Sequence, residues 1–344
     1  MTRIPPRPAE PAERRWRLGE TPWQSLSTPV GTRPRVLIDN DFSGDPDDLH
    51  QLVHHLLSPT VDIRAVIGSH LREGDPFDPG PHSARNATAV AHDVLSRMGL
   101  DAHDIVHEGS NHPLPDLRTP SPSPAADAII AEALREDTDA PLFYAAGGGL
   151  TDLASALLLR PEIAARMTLI WIGGAEHPDL AVPPPDAMPI EYNLQVDLAA
   201  AQTVFETQEL TIWQVARDTY RQCLVSDAEL RLHVATTGSL GQYLYEETRE
   251  VVEQVAGRGR GGTGTYVLGD SPLVLLTALQ SLFEPDPSSS SYVRRPTPGI
   301  TEDGTYHARA GSRPMRVYTR VDTRLMVDDY FLKLREFDSW QALA

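Results

Sequence analysis

Cysteine is almost absent: Cys223 is the only one in 344 residues. A single thiol excludes an intramolecular disulfide and a Cys-rich zinc site, and it fits a reducing compartment, so the cytoplasm is the expected location. Long apolar runs are missing too, which excludes a helical membrane span. Residues 1–32 are rich in Pro and Arg, with Trp16 and Trp23, and lack the apolar stretch of a secretory leader. They read as an arm lying on the surface, with 33–344 as a single domain. Basic charge is also short. Thirty Lys and Arg against 48 Asp and Glu give a net charge of −18, which argues against a nucleic-acid backbone as partner. A small-molecule substrate fits better, and homo-oligomer formation stays open.

What the sequence has instead is concentrated acid. Residues 35–48 run from the apolar Val36, Leu37 and Ile38 into a loop carrying Asp39, Asp41, Asp45, Asp47 and Asp48. The apolar run predicts a strand buried on both faces of a parallel sheet. Gly44 and Pro46 predict a turn. Apolar residues at helical spacing from Leu49 to Leu57 then predict an amphipathic helix with Asp47 and Asp48 at its N-terminus. Helix capping explains one or two aspartates there, not five. Carboxylates crowded at the carboxyl end of a strand, where open α/β sheets bind ligands, call for a hard divalent cation.

The remainder alternates between strand and helix patterns. Strands are expected at 61–68, 105–109, 141–146, 167–172, 210–215 and 315–322, and helices at 83–98, 125–134, 153–159 and 198–205. This alternation predicts an α/β fold, a doubly wound, mostly parallel sheet with helices on both faces. His70 follows the second strand, as either a ligand-facing residue or an exposed loop histidine, and 72–82 should be a long loop over the same edge. Gly147, Gly148 and Gly149 let the backbone approach a ligand closely, and their carbonyls suit a cation. Glu191 and Asn193 share one side of an extended, proline-flanked segment suited to sugar hydroxyls, and Asp197 can cap the next helix. Helical sequence is expected to about Val255, a flexible loop over 257–264, and loop again over 285–292. His50 and His54, spaced i, i+4, read as a solvated helix face.

Together these motifs resemble the nucleoside hydrolase (inosine/uridine-preferring) family, in a divergent bacterial form, from about Arg35 to Leu334. The resemblance rests on Asp39, Asp41, Gly44, Asp47 and Asp48 for the opening acidic motif, with two extra loop residues. It rests further on Gly148, Gly149, Leu150 and Thr151, on Gly173 and Gly174, on Glu191, Tyr192, Asn193 and Asp197, and on Asp270. It implies a Ca²⁺ held by Asp41, Asp48, Asp270 and the Gly147 carbonyl. Asp47 is then the general base and, with Asn193, a catalytic residue; Glu191, Tyr192 and Asn193 hold a ribose that His70 also reaches. The implied activity is hydrolysis of the N-glycosidic bond of a nucleoside or related riboside by metal-activated water.

One departure bears on chemistry. Gly269 stands where the family usually carries the histidine proposed to protonate the leaving base. His70, His82, Tyr192, Arg217 and Tyr220 are alternative proton donors that the sequence does not separate. Two other readings follow from the same departure: a hydrolase of a non-standard riboside with a better leaving group, or a catalytically silent Ca²⁺ and sugar binder.

Overall fold

A computed structural model describes residues 12, 14–26, 31–257, 264–283 and 286–343. Eight strands form one sheet in the order β3-β2-β1-β4-β5-β6-β12-β9. They are β1 (Arg35–Asn40), β2 (Asp62–Gly68), β3 (Val106–Glu108), β4 (Leu142–Ala146), β5 (Thr168–Ile172), β6 (Thr211–Val215), β9 (Ser291–Pro296) and β12 (Pro314–Arg320). Two short antiparallel pairs lie outside it, β7 (Leu224–Ser226) with β8 (Thr265–Val267) and β10 (Gly299–Ile300) with β11 (Tyr306–His307). Every pair in the main sheet is parallel except β12 with β9.

The apolar run of β1 behaves as its composition requires. Val36 and Ile38 pack on one face and Leu37 on the other, because side chains alternate along a strand. The first face is covered by α1 (Asp47–Leu56), α2 (Ser83–Arg97), α9 (Gly238–Gly257), α10 (Pro272–Ala278) and α11 (Thr323–Gln341), which bring Leu49, Val90, Leu244, Leu273 and Tyr330 into that core. The second is covered by α3 (Pro124–Ala133), α4 (Thr151–Leu159) and α6 (Leu198–Glu206), through Ile129, Leu153 and Val204. Shorter helices α5 (Tyr192–Val196), α7 (Arg217–Tyr220) and α8 (Asp227–His233) occupy the connections. From β1 the chain winds outward through β2 and β3, then returns to β4 on the other flank and winds the opposite way. The reversal falls between β1 and β4, and it is outside the carboxyl ends of two such strands that doubly wound sheets form the crevice that takes their ligands.

Three expectations are corrected. His50 and His54 are not solvated: each is 1% exposed. His50 bonds Tyr330 Oη at 2.8 Å and Thr248 Oγ1 at 2.9 Å, and His54 bonds Asp329 at 2.8 Å, since α9 and α11 cover the face that spacing alone left open. The helical sequence expected to Val255 is interrupted by the strand β7, and its helices are three separate elements, α7, α8 and α9. The loop expected over 285–292 gives way at Ser291 to β9, an exposed edge strand with no apolar run to mark it. Residues 1–11, 13 and 27–30 of the expected arm, residues 258–263 of the expected flexible loop and residue 285 of the expected later loop lie outside the described residues.

In the described part of that arm, Trp16 is buried. Its indole N–H donates to the Met98 carbonyl at 2.7 Å, its ring meets Trp23 edge-on, and both tryptophans pack against Phe337 of α11. Trp16→Ala is expected to cost about 3–5 kcal/mol, as for other buried aromatic deletions. Urea unfolding checks it, and a loss within about 0.5 kcal/mol, typical of surface changes, would show that the stretch is not anchored.

Candidate active site

The site grows out of the last residues of β1. Asp39 turns to the α3–α4 face, fully buried, and accepts from Tyr144 Oη. Asn40 points to the opposite face, where its Nδ2 donates to Asp270 Oδ2 at 2.7 Å. Asp41 leaves the strand into the turn, and its carbonyl accepts from the Gly44 N–H at 2.7 Å. Pro46 takes the N-cap position of α1, so Asp47 and Asp48 fall in the first helical turn rather than at the cap. Asp45 is engaged from outside the turn, accepting from Tyr266 Oη of β8.

The glycine turn after β4 closes against this edge. Gly147 N–H continues the β1 ladder to the Asp39 carbonyl at 2.9 Å. A Cβ at Gly147 would collide with Asp270 Oδ2 and with both side-chain polar atoms of Asn40, and one at Gly148 would stand 3.3 Å from the Asp41 carboxylate. Glycine is required here because the Asp270, Asn40 and Asp41 side chains occupy the space where a side chain would go. The Gly147 carbonyl accepts from Asn193 Nδ2 at 2.6 Å, leaving one lone pair for another partner.

The 191–193 segment forms the facing wall, and the extended conformation expected for it is corrected: Tyr192 opens the helix α5 and Asn193 lies within it, because the Glu191 side chain caps that helix. Glu191 caps α5: its Oε2 accepts from the Leu194 and Gly174 N–H groups at 3.0 and 2.7 Å, and its Oε1 accepts from Tyr220 Oη at 2.9 Å. Asn193 Nδ2 also donates to the Ile172 carbonyl at 2.7 Å. Tyr192 Oη donates to Asp75 Oδ2 at 2.6 Å. His70 is buried with both ring nitrogens on protein partners, Leu71 O at 2.9 Å and Thr151 Oγ1 at 2.8 Å. Thr151 in turn donates to Asp197, which caps α6. Asp41, Asp47, Asp48, Asp270, Gly147 and the 191–193 segment thus meet at one crevice, with His70 in the wall behind it.

Asp75 was not among the sequence candidates. It is fully buried, in salt-bridge range of Arg72 at 3.4 Å, and close enough to Asp41 to raise that carboxyl's pKa. The available signal was the Gly/Pro/Asp-rich loop itself, expected over this edge; nothing in its composition singled out one aspartate. Asn40, between two aspartates, carries no charge and so gives no signal of its own in the sequence.

Among the described residues no three His, Cys, Asp or Glu side chains are arranged as they would be around an ion. What converges is charge. Burial, reinforced first by Asp270, pushes the Asp41 and Asp47 carboxyls well above the usual range, and burial with Asp45 and Glu191 pushes Asp270 up to about 7 against the lowering bond from Asn40. Asp41 Oδ2 is buried with no hydrogen-bond donor. An all-oxygen set of carboxylates and a carbonyl, with a buried orphan oxygen and a glycine-lined cradle, fits a hard divalent cation such as Ca²⁺.

Asp39 and Asp270 hold protons in the folded chain up to about 8 and about 7, whereas the unfolded groups release them near 3.9. The folded state then binds more protons above about pH 4, so these groups lose stability as pH rises. Buried His50 and His54, held down to about 3 and about 4, act the other way below about pH 6.5. With divalent cations removed, the thermal midpoint is expected to fall from about pH 6.5 to about pH 8.5, where only the carboxylates act. A midpoint rising across that window in a calorimetric pH series would contradict the buried, protonated carboxyls.

The sequence matches the model of the inosine-uridine preferring nucleoside hydrolases over residues 36–328. The fold is shared with a plant nucleoside hydrolase, at 20% identity and a TM-score of 0.66 over 88% of this chain and 99% of that one. It is shared with the purine-preferring ribonucleoside hydrolase from Gardnerella vaginalis, at 17% and 0.68 over 89% and 99%. The inosine-uridine preferring nucleoside hydrolase from Bacillus anthracis is similar at 18% and 0.62 over 88% and 99%. No curated protein matches the chain. The matched span holds the acidic loop, the glycine turn, the 191–193 wall and Asp270, and this chain belongs to the inosine-uridine preferring nucleoside hydrolase family, as an N-glycosidase of that type.

Proposed function

We propose that the chain is a Ca²⁺-dependent hydrolase of the N-glycosidic bond of a nucleoside or related riboside, with water as nucleophile. The observation that carries this reading is the convergence of Asp41, Asp47, Asp48 and Asp270 on a glycine-lined crevice at the sheet's reversal. Asp41, Asp48, Asp270 and the Gly147 carbonyl would hold the ion. When bound it neutralises the carboxylates and lowers the pKa of water.

Asp47 is the base that takes the proton of the attacking water. The Asp270 N–H donates to Asp47 Oδ2 at 3.1 Å and fixes its orientation. Asn193, braced by two carbonyls, and Glu191, braced by two backbone N–H groups, form the rigid wall against which a ribose is held while its anomeric carbon gains oxocarbenium character. Tyr192, tied to Asp75, closes the side toward the 72–82 loop.

One observation favours a riboside with a good leaving group. A Cβ at position 269 would stand 3.0 Å from Asp47 Oδ2, tight enough that a side chain there must displace the base or its neighbours. Arg217 is committed to Glu176 at 2.6 Å, and Tyr220 donates its proton to Glu191. His70 and Tyr192 are likewise bonded to protein partners, and His82 lies exposed at the N-cap position of α2 outside these contacts, an arrangement that supports ribosides whose base departs with little help from a protein acid, such as pyridinium-type N-ribosides.

Release of free ribose from a panel of purine, pyrimidine and nicotinamide ribosides, with Ca²⁺ and with chelator, tests the activity. Chelator-sensitive release is expected, fastest on the nicotinamide riboside; no release from any member would overturn the hydrolase reading. Asp47→Ala is expected to lower kcat by about 10²–10⁴, the usual weight of a general base, while Ca²⁺ still binds by calorimetry. Unchanged turnover in that variant would remove Asp47 from the base role.

A further inference from the structure

Behind the acidic edge runs a line of buried polar side chains that the reaction outlined above does not use. Asn40 of β1, Gln51 and His55 of α1, and Thr277 of α10 are all 2% exposed or less. Thr277 Oγ1 donates to the Leu273 carbonyl at 2.7 Å, so its oxygen accepts from His55 Nε2 at 2.8 Å. His55 therefore carries its proton on Nε2, and its Nδ1 accepts from Gln51 Nε2. Gln51 Oε1 in turn accepts a long bond of 3.4 Å from Asn40 Nδ2, which also donates to Asp270 Oδ2 at 2.7 Å.

Each donor and acceptor in this line is compatible with only one orientation of its neighbour. A hydroxyl spent on its own helix fixes the histidine tautomer, the tautomer fixes the glutamine amide, and the amide fixes Asn40 with its N–H₂ toward Asp270. Asn40 Oδ1 is then left without a donor, fully buried, and beside the same Gly147 cradle as Asp270 Oδ2. The line also spans the three elements that must stay in register for the acidic edge to exist: β1, which leads to Asp41; α1, which begins with Asp47 and Asp48; and α10, which follows Asp270.

We propose that Asn40 is the positioning residue of the Asp270 carboxylate, and that Gln51, His55 and Thr277 form a hydrogen-bonded relay that locks it. The proposal rests on the Ca²⁺ reading above, because Asp270 is positioned toward the ion. Apolar packing alone would hold α1 against α10. The relay adds orientation, turning one Asp270 oxygen to Asn40 and leaving the other for the crevice. Outer partners of this kind typically carry about 10–100-fold in metal affinity.

The test is Ca²⁺ titration calorimetry on the full chain, well below each variant's thermal midpoint, with KM and kcat for ribose release measured alongside. Asn40→Ala is expected to weaken Ca²⁺ binding by about 10–100-fold. Thr277→Val, which keeps the volume and removes the hydroxyl at the far end, should weaken it several-fold with KM at saturating Ca²⁺ unchanged. Thr277→Ser should restore it. Packing alone would give the reverse order, with Val tolerated and Ser costly. Wild-type affinity in folded Asn40→Ala, or a Val variant that binds better than Ser, overturns the relay while leaving the Ca²⁺ reading intact. A wild-type chain that takes up no Ca²⁺ overturns the Ca²⁺ reading and, with it, the positioning role.

Discussion

Like charge held at close range is the constraint on which the rest of this structure depends. Four aspartates and a glutamate meet at one edge of the sheet, several of them buried, and burial together with the neighbouring charges raises the cost of ionising Asp41, Asp47 and Asp270. A domain stable by about 5–15 kcal/mol tolerates such an arrangement only on a rigid base. The base here is the central strand β1, covered on both faces, with β4 beside it and the acidic residues just past its carboxyl end.

The surrounding elements limit that cost without removing the charge. The first turn of α1 places Asp47 and Asp48 at the positive end of the helix dipole. Backbone N–H groups reach Glu191 and Asp47, and Tyr144 and Tyr266 donate to Asp39 and Asp45. Gly147 and Gly148 bring the backbone into space that any other residue would fill. Along α1 itself, three histidines kept neutral by burial supply polar partners without adding charge next to the crevice. A bound cation would complete an arrangement the protein has balanced only in part.

The parts legible in the sequence were those set by local chemistry. The apolar run of β1 and the acidic turn after it announced both the strand and the site, and alternating periodicities announced the winding of the sheet. Glu191, Asn193 and Asp197 were found because short polar motifs among apolar residues stand out. What stayed hidden depends on contacts between distant segments. His50 and His54 look solvated until α9 and α11 cover them; Asp75 looks like loop polarity until Tyr192 reaches it across 117 residues. Asn40 gains its importance from Asp270, 230 residues away. The small β7 and β8 strands, three residues each, lack the length to register as a pattern.

The antiparallel strand β9 carries a consequence of a different kind. It closes one edge of an otherwise parallel sheet with Arg294 and Arg295 and ends in Pro296, while the opposite edge, β3, is only three residues long. Charge, proline and brevity are the devices that stop a sheet from recruiting another strand. Lateral growth of the sheet is therefore disfavoured at both edges, and the strand ends that carry the acidic residues lie away from the two edges where another strand could add.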